Sequence, residues 1–98
     1  MYILTTVYDG VITTIKVASF MEGVEQALLS AEGLHGSGRL SNLRRRLVGV
    51  DFNRPIITIE DSHDDVFMTL YRLPDREIMN IYSDDEENPF HIQVVRID

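Results

Sequence analysis

The sequence predicts an α+β fold of order ββααββββ, a largely antiparallel sheet with two helices packed on one face. Three observations lead there. Two β-rich runs flank an Asp-Gly pair at the start, two stretches with apolar residues three and four apart follow, and four alternating runs with short connections fill the rest. A chain of 98 residues is read as a single domain, because one core is the rule at this length.

YILTTVYDGVITTIKV reads as a hairpin, since Asp9-Gly10 suits a two-residue type I′ turn in which both positions take positive φ. That register pairs Tyr8 with Val11, Thr6 with Thr13, Leu4 with Ile15 and Tyr2 with Val17. These residues share one mostly apolar face, expected to meet the core. SFMEGVEQALLSAEG then reads as a helix. Ser19 and Glu22 fit the S-x-x-E capping box, and Phe20, Val24, Ala27, Leu28 and Ala31 form one apolar face, with Gly33 as the stop. Gly23 inside it costs about 1 kcal/mol relative to Ala, a cost that close packing on the sheet would explain. A second helix starts at Ser37 or Ser41 and runs to about Val48, with Leu40, Leu43 and Leu47 along one side. On that helix Arg39 and Arg46 share a flank, Arg44 lies beside the leucine stripe, and Arg45 points outward.

The remaining runs, 56–60, 66–73, 77–83 and 90–97, read as four strands. LPDR has Pro and Asp where a type I turn wants them. A hairpin there sets Arg72 opposite Glu77, Leu70 opposite Met79 and Met68 opposite Ile81. Whether the N-terminal hairpin joins these strands is open at this level.

Composition sets outer bounds. Hydrophobic residues make up 44% and charged ones 26%, ordinary for a globular domain. With no Trp, the core rests on Ile, Val, Leu and Met. The absence of cysteine excludes disulfides and thiolate zinc sites. The N-terminal residues lack a basic n-region, and no apolar run approaches the ~20 residues of a membrane helix. A soluble, cytoplasmic chain with no membrane partner is expected.

The net charge of −7 argues against a general nucleic-acid binder, whose affinity is largely electrostatic. The charge is also uneven. Residues 1–59 carry six bases and five acids, a sum of +1, whereas residues 60–98 carry three bases and eleven acids, a sum of −8. In a four-strand meander the first and third connections lie at one end. Glu60, Asp61, Asp64, Asp65, Asp84, Asp85, Glu86 and Glu87 are therefore expected to crowd one rim, with His63 and His91 nearby and the two tips roughly 10 Å apart. This rim reads as a solvated negative edge, a docking surface for a basic protein partner, or a hard-cation site. The last misses the D-x-[DN]-x-[DN]-G pattern, so neither metal nor cofactor is expected.

Arg39, Arg44, Arg45 and Arg46 form the opposite pole. The preceding glycines match neither G-x-x-x-x-G-K-[ST] nor G-x-G-x-x-G, and Ser37 lacks the flanks of a nucleophile elbow. No aromatic lies between Phe20 and Phe52 to stack a base. A general acid–base pair of His63 and His91 at the acidic rim is the weakest reading.

The leading expectation is a non-enzymatic protein-binding module. Its general type is that of small viral or mobile-element inhibitors that dock on and block a host protein, a nucleic-acid-binding surface included. The alternative is a small nucleic-acid- or anion-binding domain built on the Gly-rich loop and Arg helix 36–46. Pairing of the basic helix with the acidic rim of a second copy predicts a salt-sensitive homodimer.

Overall fold

A computed structural model describes residues 1–36 and 38–97. The elements are β1 (Tyr2–Tyr8), β2 (Val11–Val17), α1 (Phe20–His35), α2 (Ser41–Val48), β3 (Ile57–His63), β4 (Val66–Leu73), β5 (Arg76–Ser83) and β6 (Phe90–Arg96). They form one six-stranded sheet of order β2-β1-β6-β5-β4-β3 with every neighbouring pair antiparallel. The N-terminal hairpin joins the meander through β1 and β6, which pair Leu4 with Val94. Both helices lie on one face.

The turn chemistry acts as the sequence requires. Asp9 and Gly10 take φ of 51° and 75°, and the expected hairpin register is observed in full. The pairs Arg72–Glu77, Leu70–Met79 and Met68–Ile81 are present as well.

In α1, Ser19 Oγ accepts the Glu22 N–H at 3.1 Å, while the Glu22 carboxylate accepts from Ala18 N at 3.2 Å. The helix runs past Gly33 to His35. It ends where Gly36 enters the left-handed region at φ 76°, a conformation glycine adopts without a Cβ clash. The sequence expectation of a stop at Gly33 is thus corrected by three residues, nearly one turn. The second helix starts at Ser41; the alternative start, Ser37, lies outside the described residues. Arg39 therefore precedes the helix, and the flank it was expected to share with Arg46 does not exist.

The core lies between the helices and the inner face of the sheet. The five expected apolar residues of α1 are buried, as are Leu40 and Leu43, against Met68, Leu70, Met79, Ile81, Ile92 and Val94. Gly23 packs directly over β6: a Cβ placed there would stand 2.6 Å from Val94 Cγ1. The hairpin is only partly covered, because α1 lies over β5 and β6. Leu4 and Val17 are buried, whereas Tyr8, Val11, Thr13 and Ile15, on the same face, are exposed.

A buried carboxylate sits in this inner layer. Glu77 is 4% exposed, accepts from the Tyr2 hydroxyl at 2.8 Å, and stands between Arg96 at 3.3 Å and Arg72 at 3.5 Å. The Arg72 contact is an ion pair without hydrogen-bond alignment. Burial, then the bond to Glu77, pushes the Tyr2 hydroxyl pKa up. Arg72 also donates to the Phe52 carbonyl, tying the segment before β3 to the sheet.

Candidate functional site

Three turns and one helix end meet at one pole of the molecule. The β1–β2 turn, the β3–β4 turn and the β5–β6 loop lie together, because Tyr8 pairs with Phe90 and Val66 pairs with Ser83. Asp84 N donates to Asp65 O at 3.4 Å, so the two acidic tips touch instead of standing two strand steps apart. Asn88 Nδ2 donates to the Leu34 carbonyl, and His35 Nε2 lies 3.3 Å from Asp65 Oδ1. These contacts fasten the C-terminus of α1 to both loops, with the negative end of its dipole facing the same way.

The expected acidic rim is partly reassigned. Asp64, Asp65, Asp84, Asp85, Glu86 and Glu87 occupy this pole, but Glu60 and Asp61 do not. The segment read as one connection is mostly strand: β3 continues through Asp61, Ser62 and His63, and only Asp64 and Asp65 turn, with Asp64 at φ 53°. Pairing with β4 satisfies the backbone of those polar residues, which is why their composition does not end the strand. Alternation sends Glu60 to the outer face, where it accepts from Tyr71 Oη at 2.7 Å, and Asp61 to the helix side. In their place the pole gains Asp9, whose turn borders Glu87 and Asn88 around a shallow depression.

Asp64 faces His63 at 3.6 Å and Asp65 faces His35. Among the described residues, Asp9, Asp84, Asp85, Glu86 and Glu87 have no ion-pair partner. Nor, among these residues, does any group of three or more His, Asp or Glu have the arrangement of a metal site.

The two histidines of the acid–base reading are separated by the sheet. His63 is on the helix side, where its Nδ1 accepts from Asn42 N at 3.4 Å. His91 is on the outer face, hydrogen-bonded to Asn80 at 2.8 Å and edge-on to Tyr82. They form no common cluster.

The basic cluster is divided too. Arg44 bonds the Glu32 carboxylate with its Nε at 2.8 Å and with its terminal nitrogen, and Leu40 N donates to the same carboxylate at 2.8 Å. The Arg44 bonds hold Glu32 below the ordinary glutamate pKa of 4.5 and outweigh the opposing effect of burial. This residue clamps α2 to α1. Arg45 and Arg46 are exposed beside Asn42 and Asp61, and Arg39 is exposed in the preceding loop.

Two apolar surfaces complete the inventory. One is a groove of about 420 Å³ between the helices, edged by the exposed side chains of Met21, Leu29 and Val48. The other is the outer face of the sheet, which no element among the described residues covers. Three rows cross it: Val7, His91, Tyr82 and Phe67; then Thr5, Gln93, Asn80 and Thr69; then Ile3, Val95, Ile78 and Tyr71. Phe67 and Tyr82 stack with ring centroids 5.4 Å apart.

No family model, curated protein or solved structure matches the chain. Among the described residues no helix is long and apolar enough to cross a membrane.

Proposed function

We propose that this protein is a non-enzymatic protein-binding module that docks its acidic pole on a basic surface of a partner, acting as an inhibitor of whatever that surface engages. The observation that carries this reading is the convergence of Asp64, Asp65, Asp84, Asp85, Glu86 and Glu87 on two loops pinned to the C-terminus of α1, with Asp9 on the turn beside them. A pole of one sign raises the rate of encounter with an oppositely charged surface and repels like-charged ones. Because its loops are fastened to the helix end, binding orders little additional chain. A guanidinium- or lysine-lined groove that ordinarily receives phosphates is the chemistry it fits.

The test is capture from cell extract by the wild type and by a variant with Asp84, Asp85, Glu86 and Glu87 all changed to Lys. Proteins held by the wild type at low salt should be lost from the variant and from the wild type at high salt. An Arg45→Glu, Arg46→Glu variant should retain them. An identical set captured by the acidic-pole variant removes this pole from the function.

A further inference from the structure

The helix-free outer face of the sheet has the area and the charge pattern of an interface, and we infer that its occupant is a second copy of this chain. The inference is independent of the acidic pole. Every side chain of the three rows is at least partly exposed, yet none is an acid, a lysine or an arginine. Charges stand only at the margins: Lys16 on the edge strand β2, Glu60 on the edge strand β3, and Arg76 beside a turn. A surface with no charge in its centre, in a chain that is 26% charged, is depleted in the way interface cores are.

Size agrees. Six strands spaced about 4.8 Å apart, each about seven residues long at about 3.4 Å, make a face of roughly 29 by 24 Å, or about 700 Å². Two such faces bury about 1,400 Å², within the roughly 1,200–2,000 Å² of stable interfaces.

The charge distribution selects both the occupant and its orientation. A strongly basic or acidic partner finds no counter-charge at the centre of this face, whereas an identical face brings neutral centre to neutral centre and leaves Lys16 and Glu60 on the solvated edge strands of the rim. A two-fold axis parallel to the strands would set the two acidic poles side by side. An axis lying across the strands places them at opposite ends of the dimer. It also lays the Tyr82 row over the partner's Ile78 row, and the Thr-Gln-Asn row over its own copy. Amides suit that central position. Asn80 Oδ1 already accepts from His91 and Gln93, leaving the Asn80 Nδ2 donor of each copy to reach the Gln93 Oε1 acceptor of the other, one strand across. The two sheets would stack about 10 Å apart as in an aligned sandwich.

Sedimentation equilibrium at low and high salt tests this. The expected mass is twice 11.2 kDa in both conditions, because the contact is neutral. Tyr82→Lys sets an unpaired ammonium against the partner's apolar Ile78 row, and Thr5→Lys in the central row sets like charges face to face; each should weaken association roughly tenfold or more, with an unchanged far-UV spectrum. Ile15→Lys, on the opposite face of edge strand β2, should leave the dimer intact. A monomer in both conditions overturns the inference. A dimer dissolved by salt overturns it in favour of the charged poles. A dimer lost in Ile15→Lys but kept in Tyr82→Lys overturns it in favour of edge pairing through β2.

Discussion

Two identical substitutions in α1, Gly33→Ala and Gly23→Ala, should move stability in opposite directions. At Gly33 an added Cβ meets nothing within 4 Å, so only helix propensity acts, and alanine should stabilise by up to about 1 kcal/mol. At Gly23 the same methyl would lie 2.6 Å from Val94 Cγ1 and 3.1 Å from Val17 Cγ2. Val94 is 0% exposed, and its β-branched side chain has few alternative rotamers. Neither neighbour is the far end of a flexible chain, so the helix must lift or β6 must shift. Overpacking of this kind costs about 1–3 kcal/mol, which cancels or exceeds the propensity gain. The two variants should therefore differ by about 1–3 kcal/mol, with Gly23→Ala the weaker. Urea unfolding followed by far-UV circular dichroism reads this as midpoints separated by roughly 1–2 M at the slope of a small domain. Val94→Ala removes the nearest methyl, Cγ1, along with Cγ2 at 3.4 Å, and leaves only the milder contact with Val17, so in a double-mutant cycle it should rescue Gly23→Ala by about 1 kcal/mol or more. Equal midpoints for the two glycine variants, or no coupling between positions 23 and 94, would refute the argument that this glycine is a spacer between helix and sheet.

Other outcomes follow from single contacts. Ser19→Ala removes the cap on Glu22 N and should cost about 1 kcal/mol in the same unfolding assay. Glu77→Ala removes the buried carboxylate that Arg72 and Arg96 share. Because Arg72 and Arg96 are 31% and 24% exposed and reach water, the loss should fall near the lower end of the range for broken buried pairs, about 3 kcal/mol, with no measurable change marking the network as dispensable. The clamp at Glu32 has a defined pH signature. Its folded pKa is depressed, so its contribution is complete above the ordinary value of 4.5 and is lost as pH falls through the lower folded value. Glu32→Gln should therefore be less stable at neutral pH yet lose less stability on acidification below 4.5; parallel pH profiles would show that Glu32 carries no linkage.

What could be read from residue order was governed by how local its cause is. The Asp9-Gly10 turn and the Pro74-Asp75 turn each fix a register through their own backbone geometry, and both registers were legible. The stop of α1 was misplaced because two glycines compete. Only Gly36 has a positive φ, and Leu34, before it, still packs against the core, so the helix gains by continuing past Gly33. The strand character of Asp61, Ser62 and His63 was hidden for a different reason. Their pairing with Met68, Phe67 and Val66 comes from β4, and polar composition carries no trace of a partner strand. Asp9 escaped the acidic pole likewise, since only the β1–β6 pairing brings its turn beside Glu87.

The outer face had a legible signal of another kind. A sheet strand with one face in water alternates apolar with polar, whereas a strand covered on both faces reads as a nearly continuous apolar run. In β5 the inner residues Met79 and Ile81 alternate with Ile78, Asn80 and Tyr82, and in β4 Met68 and Leu70 alternate with Phe67, Thr69 and Tyr71. Within 78–82 of β5 and 67–71 of β4 only the middle outer position, Asn80 or Thr69, lacks an aromatic or aliphatic side chain, and both belong to the uncharged central row. Among the described residues the helices cover one face of these strands and no element covers the other, so the second apolar set has no packing partner among the described elements. Net charge cannot reveal this, because a sum of −7 averages a neutral face with an acidic pole. Position within each strand separates them: the carboxylates of the pole sit in turns, where they cannot be buried by sheet packing, and the apolar outer residues sit mid-strand, where another sheet can reach them. The two surfaces can therefore be occupied at once, and Tyr82→Lys should weaken self-association roughly tenfold or more while leaving the salt-sensitive capture of a basic partner unchanged.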